Sequence, residues 1–210
     1  MPPLFSCPIA VPANHPPLIL ASTSRYRREL LARLHIPFEV AAPGVDEAER
    51  PSESPADRAE RLALEKAHAV AKGRLAGLII GSDQVAALGS LILDKPGNFE
   101  RAFDQLQRAR GKEVVFHTAV AVVDASTGAA DVLRVPYIVQ FRQSSDAEIT
   151  RYLRTEEPYD CAASAKAEGL GIALIQSIRG DEPTALLGFP LIAAAAIGLG
   201  MCDVVVAAIA

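Results

Sequence analysis

Short apolar runs alternate with amphipathic stretches along this chain. Apolar runs of strand length lie at 18–21, 37–41, 77–81, 114–123 and 132–142. Apolar residues at helical spacing lie over 25–35, 55–73, 98–110, 146–154 and 190–200. This alternation predicts an α/β protein, in which helices flank a mixed, twisted sheet.

Local signals support several of these boundaries. Ser54-Pro55 and Gly97-Asn98 both mark helix starts, because a capping side chain or a proline fits the first turn of a helix. The last two apolar runs are joined through Ser126-Thr127-Gly128. That connection predicts an antiparallel hairpin with a longer loop.

The first junction between a strand and a helix carries candidate anion-binding residues. Ser22 and Ser24 follow the first apolar run, and their hydroxyls are suited to capping the N–H groups of the next helix. Arg27 and Arg28 fall in the first turn, where the helix dipole favours anions over cations. Free N–H groups, hydroxyls and guanidinium groups at one corner predict a polyanion site. The alternative is a solvated surface with an ordinary serine cap.

A second apolar run leads to a candidate catalytic carboxylate. The stretch Leu78–Val85 reads as a strand that ends in a polar turn, with Asp83 at its carboxyl end. Ligands in open α/β sheets bind at the carboxyl ends of strands, so Asp83 is placed where chemistry is expected. The alternative is that Asp83 only caps a turn or a helix.

Composition excludes several functional classes. The chain has 210 residues, enough for one domain or for two lobes around a cleft. Its net charge of −4 argues against a general nucleic-acid binder. The cysteines at 7, 161 and 202 lack metal-ligand spacing and predict a reducing compartment without a disulfide framework. The scattered histidines argue against a zinc site.

The two ends of the chain are read separately from the centre. Residues 1–17 hold many prolines and no Lys or Arg, so we predict a disordered extension rather than a signal peptide. Residues 183–202 carry no charge, but the alanines, glycines and Pro190 favour a buried helix over a membrane span. We therefore predict one domain over 18–203 and an apolar tail over 204–210.

Together these segments resemble the Maf family of nucleotide pyrophosphatases. The resemblance runs in order from about Leu18 to Leu199. It rests on Ser22-x-Ser24-x-x-Arg27-Arg28, Val45-Asp46-Glu47, Glu65-Lys66-Ala67, Gly81-Ser82-Asp83-Gln84-Val85, Lys95-Pro96, Gly111-Lys112, Glu168-Gly169-x-Gly171 and Gly188-Phe189-Pro190-Leu191. Each motif alone is common, whereas the ordered set is specific.

The resemblance implies a two-lobed fold, similar to that of inosine triphosphate pyrophosphatases, with the active site in the cleft. It implies hydrolysis of a nucleoside triphosphate between its α and β phosphates, with Asp83 as proton acceptor. Glu47 matches an essential carboxylate, and we expect it to bind Mg²⁺ or Mn²⁺ together with the phosphates. The predicted phosphate-binding residues are Ser22, Ser24, Arg27, Arg28, Lys66 and Lys95.

The residues that track substrate within the family are Tyr26, Gln84 and Glu168 here. An aromatic residue with Gln and Glu resembles the branch that acts on 7-methyl-GTP, whereas the dTTP and UTP branch typically has Arg, Thr and Gln. An aromatic face attracts the positively charged base, and Glu168 is suited to accepting its N–H groups. Tyr26 replaces the tryptophan common in this branch, and Arg25 replaces a proline.

Other functions stay open from the sequence. The family is also linked to inhibition of cell division and septum formation, which leaves a non-catalytic regulator as an alternative. A nucleic-acid or tRNA-related binding module is disfavoured by the acidic balance and by the lack of interleaved aromatic and basic residues. We expect a cytoplasmic enzyme with a modified nucleoside triphosphate as substrate, no nucleic-acid or membrane partner, and a homodimer suggested by the family resemblance.

Overall fold

The structure, a computed structural model, describes residues 16–197. Within that range one mixed sheet contains β1 (Leu18–Ala21), β2 (Glu39–Ala41), β3 (Leu78–Leu88), β4 (Leu91–Ile92), β5 (Glu113–Asp124), β6 (Ala130–Phe141) and β7 (Ile175–Arg179). The strand order is β2-β1-β3-β5-β6-β7, and β4 pairs with β3 off this path. Because β1 runs parallel to β2 and β3 while the other pairs are antiparallel, the predicted mixed α/β sheet is confirmed.

Helices flank this sheet. They are α1 (Arg25–Ala32), α2 (Pro55–Ala71), α3 (Phe99–Ala109), α4 (Asp146–Glu156), α5 (Pro183–Leu186) and α6 (Leu191–Ala196), with 3₁₀ helices at Ala162–Ser164 and Leu170–Leu174. The predicted starts at Ser54 and Asn98 are confirmed, since both side chains accept a backbone N–H from the first turn. The 3₁₀ helices, β4, β7 and α5 were not predicted, because each is short and lacks a clear period.

The long strands β3, β5 and β6 run through two separately packed regions. At one end, Leu78 and Ile80 face one apolar cluster, whereas Ile79 faces another on the opposite side of the sheet. At the other end, Ala86 and Phe116 belong to a third cluster that includes residues of α3 and α4. The molecule therefore has two lobes that share strands, as the family resemblance implied.

The cleft between the lobes begins where β1 ends. Ala21, the last residue of β1, pairs with Gly81 in the parallel ladder. Strand β3 continues past this point to Leu88 and keeps its pairing with β5, in which Asp83 lies opposite Ala119. The prediction that Asp83 lies at the carboxyl end of its strand is therefore wrong, because pairing with β5 extends β3 to Leu88. The strand that ends beside the cleft is β1.

Gly81 lets α2 lie directly on β3. A Cβ atom built at this position would fall 2.0 Å from the carbonyl oxygen of Ala63 and 2.8 Å from the amide nitrogen of Ala67. Any side chain there would push the helix away from the sheet. Because α2 sits so close, Lys66 reaches Asp83, two residues along β3 from the glycine.

The helix predicted from Pro190 is confirmed as α6, which has Pro190 at its N-cap position. The buried carboxylate of Glu182 accepts the backbone N–H groups of Ile192 and Ala193 and so satisfies the start of this helix. Of residues 16–197, no helix is long and apolar enough to cross a membrane. Three predictions concern residues outside the described range: the extension before residue 16, the end of the helix at 198–200, and the tail over 204–210.

Candidate active site

One cleft of about 770 Å³ brings together nearly all of the predicted site residues. They come from the β1–α1 junction, the loop before α2, α2 itself, β3, the segment after β4 and the loop that carries Glu168. The predicted residues that line the cleft are Ser22, Ser24, Tyr26, Arg27, Glu47, Lys66, Asp83, Gln84, Lys95 and Glu168.

Arg28 is the exception. It is exposed and does not belong to the cleft lining, so the structure does not bring it together with the other predicted phosphate-binding residues. The physical reason is the helical period: successive residues point about 100° apart, so Arg27 and Arg28 face different sides of α1. Of these two arginines, only Arg27 faces the cleft.

A buried ion pair forms the centre of the site. The Lys66 ammonium nitrogen lies 2.6 Å from Asp83 Oδ1 and 2.7 Å from Glu47 Oε1. The side chains of Lys66 and Asp83 are only 6% and 9% exposed. One ammonium group therefore joins the carboxylate of β3 to the carboxylate of the loop before α2. Two carboxylates and one lysine are thus fixed around a common point in the cleft.

Arg27 completes this group from α1. Its Nη2 lies 4.0 Å from Asp83 Oδ1, and its Nε donates a 2.9 Å hydrogen bond to the carbonyl oxygen of Gly188. The Ser82 hydroxyl donates to the same carbonyl at 3.3 Å. Gly188 has a φ of +92°, a conformation that favours glycine, and this turn aims its carbonyl at the arginine. The Gly188 motif thus orients Arg27.

The two serines do not play the same part at the start of α1. Ser24 is the N-cap, and its hydroxyl accepts the backbone N–H of Arg27 at 3.4 Å. The hydroxyl of Ser22 instead accepts the N–H of Ser24 at 3.1 Å. The predicted capping role is therefore confirmed for Ser24 only, and Ser22 shapes the turn between β1 and α1.

The charge of Glu47 is favoured by its neighbours. Burial by itself raises the pKa of this carboxyl group, but the hydrogen bond from Lys66 and the charges of Lys66, Lys95 and Arg27 outweigh burial, so the net pKa is lowered. Glu47 remains 57% exposed along its side chain. It therefore offers the cleft an ionised carboxylate with access to solvent.

Gln84 is held by backbone groups. Its side-chain nitrogen lies 2.8 Å from the carbonyl oxygen of Ala185, 3.1 Å from that of Leu186 and 2.9 Å from the Thr118 hydroxyl. Thr118 also donates to Ala185. These bonds fix α5 and the following turn against the sheet. Gln84 thus shapes the wall of the cleft beside Asp83.

The other end of the cleft carries Tyr26, Asp160, Cys161 and Glu168. Burial raises the pKa of Tyr26, and the nearby Cys161 and Asp160 raise it further. The guanidinium carbon of Arg25 lies 5.3 Å from the centre of the Tyr26 ring, within range of a cation–π contact. The ring therefore has two carboxylates, Asp160 and Glu168, and two cations, Arg25 and Lys166, in its surroundings.

Glu168 is placed by a tightly folded glycine loop. A Cβ atom at Gly169 would lie 2.6 Å from the Glu156 carboxylate, and one at Gly171 would lie 2.5 Å from the Lys166 carbonyl oxygen. Lys166 in turn forms a 2.7 Å ion pair with Glu156. The two glycines therefore let the chain fold back on α4, and this brings the exposed Glu168 to the cleft.

A family model described as Maf-like protein matches residues 17–197. The chain belongs to the Maf family. The match covers nearly all of the residues that the structure describes, including both lobes and every part of the cleft.

Several curated members of the family are similar over most of their length. A protein of Albidiferax ferrireducens named 7-methyl-GTP pyrophosphatase is 61% identical over 175 residues, which cover 83% of this chain and 88% of the relative. Proteins with the same name from Polaromonas sp. and Aromatoleum aromaticum are 59% and 58% identical over 176 residues. Those alignments cover 84% of this chain and 80% and 91% of the relatives.

Sequence reasoning missed Arg58, Asp94, Asp160 and Cys161, all of which line the cleft. Asp94 and Asp160 had no motif of their own, although Asp94 directly precedes the Lys95-Pro96 motif. Arg58 lies on the first turns of α2, where only its burial distinguishes it from a surface cation. Burial of that kind depends on the loops packed above the helix, so the local sequence carries no signal for it.

Proposed function

We propose that this Maf family protein is a nucleoside triphosphate pyrophosphatase that hydrolyses 7-methyl-GTP to 7-methyl-GMP and diphosphate. The observation that carries the proposal is the buried Lys66–Asp83 pair, with Glu47 and Arg27 beside it, in one cleft with Tyr26 and Glu168. The printed names of relatives at 58–61% identity support the same activity and substrate.

In this mechanism a water molecule attacks the α-phosphorus. Lys66 and Arg27 both approach Oδ1 of Asp83, and we assign the proton of the water to Oδ2. A bond forms from the water oxygen to the α-phosphorus, and the bond from that phosphorus to the bridging oxygen breaks. Diphosphate leaves with the bridging oxygen. Arg27, Lys66 and Lys95 offset the negative charge of the phosphates.

The residues at this end also fit a divalent metal ion. Glu47 and Asp83 both lie within 2.7 Å of the same ammonium nitrogen, so their carboxylates face a shared space. Mg²⁺ is usually held by one or two carboxylates together with substrate phosphates and water. No cluster of three or more His, Cys, Asp or Glu residues within 16–197 is arranged to hold a metal alone. We propose that Glu47 binds Mg²⁺ or Mn²⁺, which would neutralise phosphate charge and acidify a bound water.

The base would occupy the end lined by Tyr26 and Glu168. The methylated guanine carries a positive charge, which the face of Tyr26 attracts by about 0.5–2 kcal/mol. Glu168 is exposed and ionisable, and a carboxylate accepts hydrogen bonds from the two neighbouring N–H groups of guanine. We propose that these two side chains, with the wall shaped by Gln84, select the base.

A screen of nucleotides tests the proposal. Diphosphate release is measured for 7-methyl-GTP, GTP, dTTP and UTP, each with Mg²⁺, with Mn²⁺ and with EDTA. We expect the highest kcat/KM for 7-methyl-GTP and no turnover in EDTA. A higher kcat/KM for dTTP or UTP would overturn the substrate while keeping the pyrophosphatase activity. Full turnover in EDTA would overturn the metal requirement.

Gel filtration of the same protein tests the expected homodimer, and cell fractionation tests its expected cytoplasmic location.

A further inference from the structure

Arg58 joins two segments that each carry a residue of the proposed site. It lies on the first turns of α2 and is 8% exposed. The loop before α2 carries Glu47, and the segment after β4 carries Lys95. Arg58 contacts both segments and lines the same cleft as they do.

The guanidinium group of Arg58 makes three contacts with these two segments. Nη2 of Arg58 donates a 3.1 Å hydrogen bond to the backbone carbonyl of Glu47, and Nη1 donates at 3.1 Å to the carboxylate of Glu49. Nη2 also lies 3.6 Å from the carboxylate of Asp94, the residue before Lys95. Within residues 16–197 the buried Nε has no partner, so the two terminal nitrogens make all of its polar contacts. The planar guanidinium group is therefore oriented by the two segments that it holds.

Arg61 also contacts the loop before α2. It lies one turn further along α2 and donates to the backbone carbonyl of Ala48 and to the carboxylates of Glu53 and Glu65. All of these partners belong to the loop or to α2 itself. Arg58 differs because it also reaches Asp94. Its distinguishing contact is thus the one with the segment after β4.

We infer that Arg58 is a positioning residue that couples the Glu47 loop to the Lys95 segment and so sets the spacing of these two groups around the triphosphate. The inference rests on the proposed function for its consequence in turnover. A guanidinium group cannot lose its proton, so a buried one requires acceptors from its surroundings. Both segments supply them, and movement of either segment would leave the cation poorly paired.

Hydrogen exchange tests the coupling without any turnover. Exchange is followed in peptides that cover 43–50 and 93–97 in the wild type, Arg58→Met, Asp94→Asn and Arg61→Met. We expect Arg58→Met to speed exchange in both peptides. Asp94→Asn should speed exchange in 43–50 as well as in its own segment. Arg61→Met, the matched control, should affect 43–50 alone. Faster exchange confined to 93–97 in Asp94→Asn would overturn the coupling.

Steady-state kinetics with 7-methyl-GTP test the consequence. Arg58→Met should lower kcat about tenfold or more, because small displacements of positioning groups cost that much. Asp94→Asn should lower kcat with KM unchanged or reduced, whereas a change in KM alone would overturn the positioning role. The kcat of the double variant should be no lower than that of Arg58→Met, and losses of kcat that multiply would overturn the inference.

Should Arg58→Met fail to fold, the test passes to the exposed Asp94→Asn variant, in which a wild-type kcat would also overturn the inference. An inactive wild type would count against the proposed function only, since the exchange result stands by itself.

Discussion

The two ends of the cleft are built in different ways. At the end proposed to bind the triphosphate, here called the phosphate end, Lys66 and Asp83 are buried and bonded to each other, and Arg27 donates to the Gly188 carbonyl. At the base end, Glu168 is exposed and Tyr26 is only half-buried, with its ring beside the exposed Arg25. A buried ion pair thus fixes Lys66 and Asp83, whereas Tyr26 and Glu168 remain nearer to solvent. Substitutions at the phosphate end should therefore affect turnover and stability strongly, and those at the base end should mainly affect selectivity.

The largest expected effect is on turnover, at Asp83. Asp83→Asn keeps the shape of the side chain and removes the proton acceptor, so we expect kcat to fall by about 10²–10⁴-fold while nucleotide still binds. The measurements are kcat and KM with 7-methyl-GTP. Asp104→Asn, an exposed position on α3, is the matched control and should behave as the wild type. Near-normal kcat in Asp83→Asn would remove Asp83 from the mechanism.

The second prediction concerns stability at the same end. Lys66→Met leaves the buried Asp83 carboxylate without its main partner, so the free energy of unfolding in urea should fall by about 3 kcal/mol. Arg108→Met breaks an ion pair whose side chains are 55% and 57% exposed, and it should cost less than about 1 kcal/mol.

A double variant sharpens this comparison. Lys66→Met combined with Asp83→Leu replaces both charges with apolar groups, so stability should largely return while turnover remains absent. Equal losses in Lys66→Met and Arg108→Met would show that burial does not distinguish the phosphate end.

The third prediction moves to the base end. Tyr26→Ala should lower kcat/KM for 7-methyl-GTP about 2–30-fold more than for GTP, because only the methylated base is cationic. Tyr26→Leu keeps apolar bulk without an aromatic face and should show the same selective loss. Tyr26→Trp should match or exceed the wild type. If Tyr26→Ala lowered kcat/KM for both nucleotides equally, the ring would contribute packing alone.

The fourth prediction concerns the thiol beside Tyr26. Burial raises the pKa of Cys161 to about 12, and the neighbouring Asp160 and Glu168 also raise it. Because the thiolate is the reactive form, iodoacetamide at pH 8 should modify Cys161 about tenfold or more slowly than a free cysteine. The rate is followed by mass spectrometry in a Cys7→Ser, Cys202→Ser background. Asp160→Asn should speed the reaction, and a rate equal to that of free cysteine would contradict the acidic character of this end.

The smallest effect is expected at Arg25. Its guanidinium group contacts the Tyr26 ring and would repel a cationic base, so Arg25→Ala should raise kcat/KM for 7-methyl-GTP about 2–5-fold relative to GTP. Glu29→Gln is the control, since it removes the 3.5 Å ion pair of Arg25 and leaves the ring contact in place. An unchanged ratio in Arg25→Ala would mean that Arg25 does not compete for the ring.

The sequence by itself determined the mixed α/β class, the main strands and helices, and ten of the residues that line the cleft. These features depend on local information. The apolar period sets strands and helices, and capping side chains such as Ser54 set helix starts. Residue types at motif spacing predicted the charged groups of the cleft. A site for phosphate needs cations, and this need does not depend on the details of the fold.

Only the tertiary structure decided how those groups are arranged. Asp83 lies inside β3 because β5 pairs along the whole strand, and no local pattern around Asp83 reports that partner. Arg27 faces the cleft and Arg28 does not, since the phase of α1 is set by packing against the sheet. Arg58 is buried by contacts with Glu47, which precedes it in the sequence, and with Asp94, which follows it beyond β3 and β4. Burial and long-range contacts exist only once the chain has folded, so they are the part that sequence patterns do not encode locally.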